Sequence, residues 1–139
     1  MKKIFFPLLF LFCLSEIDLQ GQSNANDIIG YYLVVDPFNG EKSQIQIYFA
    51  SNGKYEAIVT WVENPEKKKF LGLLFLKDLI FNEKEKEWQN GIITYPGKKG
   101  TFKTYMKFEP DGKLKVRGYW GVSLLGKTLY WNRESGKRE

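Results

Sequence analysis

Apolar and polar residues alternate along several short segments of this chain, with the two-residue period of a β-strand that has one buried face. In the clearest case, Ile45, Ile47 and Phe49 share one face, and polar or amphipathic residues occupy the other. Asn52-Gly53 follows, and this dipeptide between two alternating segments is a strong hairpin signal. The next segment, Tyr55 to Trp61, again has apolar residues at alternate positions. The pattern therefore predicts a β-hairpin.

Similar segments, separated by turn signals such as Pro110-Asp111-Gly112, predict about eight strands. The predicted strands are Ile28 to Val35, Gln44 to Ala50, Tyr55 to Trp61, Leu73 to Asn82, Gln89 to Tyr95, Phe102 to Glu109, Leu114 to Trp120 and Lys127 to Arg133. The continuous apolar run Phe70 to Leu76 fits a buried strand or a short helix, because periodicity does not separate the two. We favour a strand here, preceded by one short helical turn near 66–72.

The connections between these segments are short, so neighbours in sequence are expected to pair as antiparallel strands. No amphipathic helix is long enough to cover a sheet, and an open sheet would leave exposed edges. Closure of the sheet removes those edges. The predicted fold is an all-β, single antiparallel up-and-down β-barrel of about eight strands, which encloses room for packed side chains or one small ligand.

The first 21 residues have the pattern of a removable export signal. Met1-Lys2-Lys3 supplies positive charge, Ile4 to Leu14 is apolar, and a polar stretch ends at Gly21. The apolar core is too short to span a bilayer. The one cysteine of the chain, Cys13, lies inside it. We therefore expect a signal peptide over 1–21, a single barrel domain over 22–139, and an extracytoplasmic location, either periplasmic or secreted.

The composition limits the chemistry of the exported part. The chain has one Cys, which cleavage would remove, and no His, so Ser-His-Asp catalysis, Cys-His catalysis and a zinc site are excluded. Carboxylate catalysis stays open, but the acidic residues cluster where turns are predicted, which favours solvated side chains. The sequence also lacks a glycine loop of phosphate-binding spacing. We expect a protein that is not an enzyme and uses no metal or cofactor.

The apolar faces of the predicted strands form the candidate ligand site. The chain is rich in aromatic residues, with four Trp and eight Tyr, which fits an aromatic-lined interior. Thr104 and Tyr55 are the inward residues that could orient a ligand by hydrogen bonds. The alternative is that all these side chains fill a closed core. The predicted lining is Ile45, Ile47, Phe49, Tyr55, Val59, Trp61, Phe102, Thr104, Met106, Phe108, Val116, Trp120 and Leu129.

A basic face is predicted on the outer side of the hairpin that spans residues 102–120. Its members are Lys103, Lys107, Lys113, Lys115 and Arg117, with Tyr105 and Tyr119 interleaved. Basic residues with aromatics are typical of single-stranded nucleic-acid binding, but export argues against that partner. An anionic envelope lipid or glycan is the better candidate, and the alternative is a solvated strand face on which lysine discourages edge pairing.

Several stretches resemble the bacterial exported family known as domain of unknown function 2147, which is lipocalin-like, that is, a calycin-type barrel. They are Ile28 to Tyr32, Leu71-Gly72, Trp88 to Pro96, Gly112 to Tyr119 and Trp131 to Arg133. Calycins carry a Gly-x-Trp on the first strand, crossed by an arginine from the last. This chain has Gly30-Tyr31-Tyr32, with tyrosine in place of that tryptophan, and Arg133. The resemblance therefore implies structural closure by Gly30, Tyr32, Trp131 and Arg133, with Arg133 over Tyr32 or Trp131.

These observations lead to two functional hypotheses. The first is an exported, non-enzymatic barrel that binds a small hydrophobic or amphipathic ligand as a carrier or envelope accessory protein. The second is a structural or interaction module with a filled core, which binds another envelope component through its basic outer face. We expect a monomer that does not bind nucleic acid. A cavity of several hundred Å³ would favour the first hypothesis, a solid interior the second, and two converged buried carboxylates a hydrolase.

Overall fold

The computed structural model of the protein describes residues 23–121 and 125–139, and these residues form a closed eight-stranded barrel. The predicted signal peptide and Cys13 lie outside the described residues. The strands, each between six and nine residues long, are β1 (Gly30–Val35), β2 (Lys42–Phe49), β3 (Tyr55–Val62), β4 (Leu74–Asn82), β5 (Glu87–Ile93), β6 (Phe102–Phe108), β7 (Leu114–Tyr119) and β8 (Gly126–Glu134).

Each strand pairs with its neighbours in sequence in antiparallel orientation, and β1 pairs with β8 to close the barrel. The closing register places Tyr32 opposite Arg133. The predicted all-β, up-and-down barrel of eight strands is confirmed. Its hairpins use the predicted turn chemistry: Gly53 has a φ of 83°, and the Asn52 side chain accepts a hydrogen bond from the Lys54 amide at 3.0 Å. A residue with positive φ is needed there, and Asn-Gly supplies it.

Two complete 3₁₀ helices lie within the described residues. The first, Ala25–Ile28, replaces the beginning of the first predicted strand, which instead starts at Gly30. The second, Pro65–Phe70, is the predicted helical turn, and β4 then starts at Leu74. The ambiguous apolar run is therefore divided between a 3₁₀ end, a short loop and a strand. Within the described part of the chain, no helix is long and apolar enough to cross a membrane.

Local bulges curve the sheet and change which residues face inward. Asp78 in β4 and Asn90 in β5 have φ values of 64° and 66°, and the register shifts in the neighbouring strand pairs. Asp and Asn tolerate this left-handed conformation better than other side chains do, and bulges bend a strand sharply enough for barrel closure. The consequence is that Phe75 and Leu76, although adjacent in sequence, are both buried.

The two ends of the barrel differ in construction. The mouth, as we call one end, carries the connections β1–β2, β3–β4, β5–β6 and β7–β8. The base carries the first 3₁₀ helix and the other three hairpins. At the base the backbone of the 3₁₀ helix accepts hydrogen bonds from the Tyr32 hydroxyl at 2.8 Å and from the Trp88 indole at 3.0 Å. These bonds hold the helix against the interior, so the base is closed by protein.

Arg133 completes the closure of the base. Its guanidinium lies 5.0 Å from the centre of the Tyr32 ring and 5.5 Å from that of Phe108. It also donates hydrogen bonds to the carbonyl oxygens of Ile29, at 2.8 Å, and Asp27. The expected packing of Arg133 over Tyr32 is therefore present. Trp131 lies on the inner side, with its ring centre 6.5 Å from that of Tyr32.

The C-terminal tail, residues 135–139, is fastened to the outside of the barrel through Gln44. The Gln44 side chain is fully buried and donates to the Gly136 carbonyl at 2.7 Å and to Glu134 at 2.9 Å. Its own oxygen accepts from the Arg138 amide at 3.0 Å. The Arg138 guanidinium lies 4.8 Å from the centre of the Trp61 ring and forms a 2.6 Å ion pair with Glu134. A buried amide with these partners ties the tail to β2 and β3.

This fastening predicts a pH dependence of stability. The hydrogen bond from Arg138 holds the pKa of the Glu134 carboxyl below its ordinary value of 4.5. A lowered pKa in the folded state contributes stability that is present above pH 4.5 and is lost as the pH falls through the folded-state value. In Glu134→Gln, urea unfolding should therefore show a shallower loss of stability on acidification than in the wild type. Arg138→Ala should flatten the profile in the same way. Identical slopes in all three proteins would contradict the assignment.

Candidate functional site

A cavity of about 240 Å³ opens at the mouth of the barrel. Loops from three connections form it, together with the ends of β6, β7 and β8, so residues distant in sequence converge there. Its lining is predominantly apolar and aromatic: Pro37, Phe38, Tyr95, Phe102, Gly118, Tyr119, Trp120, Leu125, Gly126, Lys127 and Leu129. Concave apolar sites with a few polar groups are the usual form of a small-molecule site.

The aromatic wall of the mouth cavity is built from three rings in mutual contact. Phe38 lies 5.5 Å from Phe102 and 6.2 Å from Tyr95, and Tyr95 lies 5.8 Å from Phe102, all between ring centres. Edge-to-face and tilted contacts at these separations are favourable for aromatic pairs. Beneath them, Phe75 stacks edge-on against Tyr95 at 5.4 Å and lies 6.0 Å from Trp131. The wall therefore rests on side chains of the packed core.

Two glycines, Gly118 of β7 and Gly126 of β8, line the cavity. A Cβ on Gly118 would meet nothing within 4 Å, so this position borders open space. A Cβ on Gly126 would lie 2.1 Å from the Gly118 carbonyl oxygen, so no larger residue fits at position 126 without separating the two strands.

The charged side chain that lines the mouth cavity is basic, beside the neutral Tyr95 and Tyr119. Lys127 lines the cavity. The Lys98 ammonium lies 3.7 Å from the centre of the Phe38 ring, which is part of the cavity wall. A lysine over an aromatic face is a cation–π contact. Among the described residues that line the cavity there is no carboxylate. The electrostatic environment thus favours a neutral or negatively charged group at the opening.

A small polar recess adjoins the cavity behind Tyr95. Its lining includes Asp36, Glu41 and Lys67. Burial raises the pKa of the Tyr95 hydroxyl above its ordinary value, and the negative charge of Asp36 raises it further. The 2.7 Å ion pair with Lys67 and its hydrogen bond lower the pKa of Glu41. Tyr95 is therefore a neutral hydrogen-bonding group at neutral pH, next to carboxylates that have partners of their own: the Phe38 amide donates to Asp36 at 2.7 Å.

The structure separates the predicted pocket residues into three groups. Phe102, Trp120 and Leu129 line the mouth cavity. Phe49 and Trp61 lie outside the interior, and Phe108 is partly buried at the base beneath Arg133. The others belong to the packed core below the cavity: Ile45, Ile47, Tyr55, Val59, Thr104, Met106 and Val116. The predicted set is therefore divided in this structure between the mouth cavity, the packed core and the surface, and its part in ligand binding stays a prediction.

Three of these residues differ from the simple alternation for identifiable reasons. Phe49, 54% exposed, ends β2 at the hairpin and stacks on the edge of Tyr55. Trp61 faces outward because the β2–β3 register shifts at Gln44/Ile45, and Val62 takes the buried position. Trp120 follows the last residue of β7 and is 75% exposed at the rim. A bulge or a strand end changes which residues of a strand face inward. Alternation therefore predicts the facing of a side chain only within an uninterrupted strand.

The two residues proposed to orient a ligand lie in the packed core, below the mouth cavity. The Tyr55 hydroxyl donates to the Asn26 side chain at 2.6 Å, which ties β3 to the first 3₁₀ helix. Thr104 is buried against Gly91, where a Cβ would lie 2.7 Å from its methyl group. Its hydroxyl, like the Trp131 indole nitrogen, has no hydrogen-bond partner among the described residues. Neither residue lines the mouth cavity.

Sequence reasoning missed the residues that the connecting loops contribute. Phe38 and Tyr95 stand in or beside turns, and Lys127 is the second residue of β8, so none belongs to the central inward face of a strand. The available signal was an aromatic residue inside the predicted turn Asp36 to Gly40, where polar residues are usual. Binding residues are disproportionately found on loops that a rigid scaffold positions.

The basic face lies on the outside of β6 and β7, as predicted. The register places Lys107 directly opposite Lys115, and Tyr105 opposite Arg117. Tyr105 and Tyr119 are in ring contact at 6.2 Å, and Arg117 donates to the Thr128 hydroxyl at 3.2 Å. Lys103 and Lys113 are exposed at the two ends of this face. Like charges opposite each other are destabilising, and Glu87 of β5 lines the same shallow pocket as Lys107 and Lys115, so an acidic group of the chain itself stands beside this pair.

The hydrolase hypothesis would need two buried carboxylates close together. Asp36 is the buried carboxylate among the described residues, and within residues 23–121 and 125–139 no group of three acidic residues is placed to hold a metal ion. The carboxylate pair that this hypothesis requires is therefore not found in the described part of the chain.

Comparisons with known proteins agree with this architecture. The model of a family described as uncharacterized protein conserved in bacteria, DUF2147, matches residues 30–133. A solved structure of a protein from the human pathogen Helicobacter pylori, described as belonging to the lipocalin family, is similar with a TM-score of 0.64 and 21% identity, covering 78% of this chain and 84% of that one. A search of curated proteins finds no significant match. The chain therefore belongs to the DUF2147 family, and its barrel is lipocalin-like.

Proposed function

We propose that this protein is an exported, non-enzymatic barrel that binds a small hydrophobic or amphipathic molecule at its mouth, as a carrier or envelope accessory protein. The observation that supports the proposal most strongly is the apolar cavity of about 240 Å³ at the open end of a lipocalin-like barrel. Its three contacting rings offer an apolar ligand a preformed surface, which limits the ordering cost of binding.

The size of the cavity indicates the size of the ligand. At about 240 Å³ it exceeds the ~150 Å³ of an engineered cavity that holds benzene and is below the ~300 to 1,000 Å³ of sites for drug-sized ligands. A ligand of one ring or a short alkyl chain fits these bounds. Lys127 and Lys98 at the opening suit a ligand whose polar end is neutral or anionic.

The proposed location rests on the N-terminal sequence, which lies outside the described residues. The short basic start, the apolar core from Ile4 to Leu14 and the polar stretch to Gly21 are typical of a cleaved export signal. N-terminal sequencing of the protein recovered from the envelope fraction of its own host tests this directly. We expect a mature N-terminus at Gln22, and a chain that retains Met1 in the cytoplasm would contradict export.

Calorimetric titration with saturated carboxylates of roughly six to sixteen carbons tests ligand binding, with the preference expected at the short end because of the cavity volume. Leu129→Trp should weaken binding by about tenfold or more, since the added ring occupies the cavity. Leu74→Trp is the matched control, because Leu74 is 40% exposed on β4 and does not line the cavity.

The control should bind as the wild type does, and both variants should retain the barrel's circular dichroism. Saturable binding that Leu129→Trp leaves unchanged would move the ligand away from the mouth. No saturable binding across the whole series, together with no small-molecule adduct in native mass spectra of protein from its own host, would contradict the carrier proposal.

A second candidate function uses the basic face, as an interaction module for an anionic envelope lipid or glycan. The observation that favours it is the direct opposition of Lys107 and Lys115 across β6 and β7. Lys107→Ser/Lys115→Ser should then weaken retention on an anionic glycan column. At the same time it should raise stability slightly in the absence of a partner, because a like-charge pair is removed.

A further inference from the structure

The loops of the mouth expose large apolar side chains that the packing of the barrel does not explain. Trp120 is 75% exposed and Leu125 is 70% exposed, next to each other at the rim of the cavity. Phe38 is 49% exposed on the β1–β2 connection, and Leu71 is 47% exposed on the β3–β4 connection. Single exposed apolar residues are ordinary, but a group of large ones at one end of a barrel indicates an interaction surface.

The same loops carry exposed lysines. Lys68 and Lys69 stand on the β3–β4 connection, Lys98 and Lys99 on the β5–β6 connection, and Lys127 at the start of β8. Two of them lie along aromatic rings: Lys98 over Phe38 at 3.7 Å and Lys69 near Phe70 at 5.4 Å. In both contacts the ammonium nitrogen itself faces the ring, so cation and aromatic side chain lie together at the surface of the mouth.

The base has a different character. In its β4–β5 hairpin, acidic and basic residues alternate, and Glu83 and Lys86 form an ion pair at 2.6 Å. The β6–β7 hairpin carries Glu109 and Asp111 along with Lys113. The β3–β4 connection of the mouth also carries exposed Glu63 and Glu66. Exposed tryptophan is thus found at the mouth together with lysines on all three of its lysine-bearing connections, whereas the exposed hairpins of the base combine both signs. Tryptophan favours the boundary between apolar and aqueous phases, and lysines near an anionic lipid surface are attracted to it.

We propose that the mouth is a membrane-docking surface: Trp120, Leu125, Phe38 and Leu71 enter the headgroup region of an anionic bilayer, while Lys98, Lys99 and Lys127 contact its phosphates. Docking in this orientation turns the opening of the cavity toward the lipid. The inference is independent of the ligand, because it rests on the exposed side chains of the rim and not on what the cavity holds. A second copy of the chain is the competing occupant, since two mouths could also cover each other's apolar residues, but their lysines would repel.

Flotation with phosphatidylglycerol and phosphatidylcholine vesicles tests the proposal, using processed protein from the envelope fraction whose N-terminus has been identified by mass. The wild type should float with the anionic vesicles only, and its tryptophan emission should shift to the blue, because Trp120 is the strongly exposed tryptophan among the described residues. Trp120→Ser/Leu125→Ser should abolish the shift. Lys98→Glu/Lys99→Glu should reduce flotation by about tenfold or more. High salt should also reduce the flotation of the wild type, because it screens the attraction between lysines and anionic lipid.

Matched controls separate the mouth from the rest of the surface. Tyr130→Ser removes a 53% exposed aromatic residue from β8, and Lys77→Glu/Lys84→Glu reverses two exposed charges on β4 and the β4–β5 hairpin, away from both the mouth and the basic face. Both should float as the wild type does. The proposal is overturned if the wild type does not float, if Lys77→Glu/Lys84→Glu loses as much flotation as the mouth variants, or if sedimentation shows a dimer that Trp120→Ser/Leu125→Ser dissociates.

Discussion

Trp88→Ala is expected to lower the free energy of unfolding by about 3–5 kcal/mol, the range for removal of a fully buried large aromatic side chain. Trp88 is 0% exposed and lies between two rings, with centres 4.8 Å from Phe81 and 5.6 Å from Phe108. Its indole also donates to the Ala25 carbonyl at 3.0 Å. Alanine therefore leaves a cavity and also releases the first 3₁₀ helix from the base.

Urea unfolding monitored by circular dichroism measures the change, with two variants as controls. Trp88→Phe keeps a ring but leaves the Ala25 carbonyl without its donor, so a smaller loss of about 1–3 kcal/mol is expected. Trp120→Ala removes a 75% exposed side chain and should change stability by less than about 0.5 kcal/mol. Equal effects of Trp88→Ala and Trp120→Ala would contradict the placement of the two tryptophans.

Arg133→Ala is expected to cost about 2–3 kcal/mol and to lower the melting temperature. The variant loses the charged hydrogen bonds to the Ile29 and Asp27 carbonyls and the contacts with the Tyr32 and Phe108 rings. Arg133→Lys should recover only part of this stability, because an ammonium cannot reproduce the fork of the guanidinium. An unchanged melting temperature in Arg133→Ala would contradict the closure of the base by this residue.

Gly30 provides a coupling test of the same closure. A Cβ on Gly30 would lie 2.5 Å from an Arg133 guanidinium nitrogen, and Gly30 has a φ of +149°, which side chains rarely adopt. Gly30→Ala should therefore destabilise the protein through both contact and backbone strain. In the Arg133→Ala background the contact is gone, so the double variant should be more stable than the sum of the single changes predicts, by about 1–2 kcal/mol. Strict additivity would show that the two residues do not meet.

The strand pattern and the turns could be predicted because both depend on local chemistry. Asn52-Gly53 and Pro110-Asp111-Gly112 form hairpin turns, with positive φ at Gly53 and Gly112. Arg133 could be placed over Tyr32 through the family resemblance alone, since no periodicity relates residues a hundred positions apart. The second 3₁₀ helix follows from Asn64-Pro65: the Asn64 side chain accepts from the Glu66 amide at 3.0 Å, and proline stands in the first turn.

The site could not be predicted, because it depends on phase changes and on loops. The register shift at Gln44/Ile45 reverses the faces of Trp61 and Val62, and alternation within β3 carries no sign of it. The cavity joins Phe38, Tyr95 and Lys127 from three different parts of the chain. Their meeting follows from barrel closure, which brings alternate connections to one end. Alternation placed Phe102 and Leu129 in the inward set, and both line the cavity.

Each functional hypothesis is supported by a different part of the barrel: the packed core fits the interaction module, and the open mouth fits ligand binding. The interior between Tyr32, at the base, and Phe75, beneath the aromatic wall of the mouth, is filled by buried side chains. A filled core is what the interaction-module hypothesis expects. Toward the mouth, the described side chains of Phe38, Phe102 and Leu129 border the cavity of about 240 Å³. A small ligand held near the opening, and not a long one drawn through the barrel, is the form of binding that this division supports.

The most direct test of the central claim is a nuclear magnetic resonance titration of the labelled protein with a saturated carboxylate of about ten carbons. The amides of Gly118 and Gly126, which line the cavity, should shift together and saturate with one dissociation constant. Those of Gly53 and Gly112, in hairpins of the base, should not move. The absence of saturable shifts at Gly118 and Gly126, or saturable shifts confined to the basic face around Lys107 and Lys115, would contradict ligand binding at the mouth.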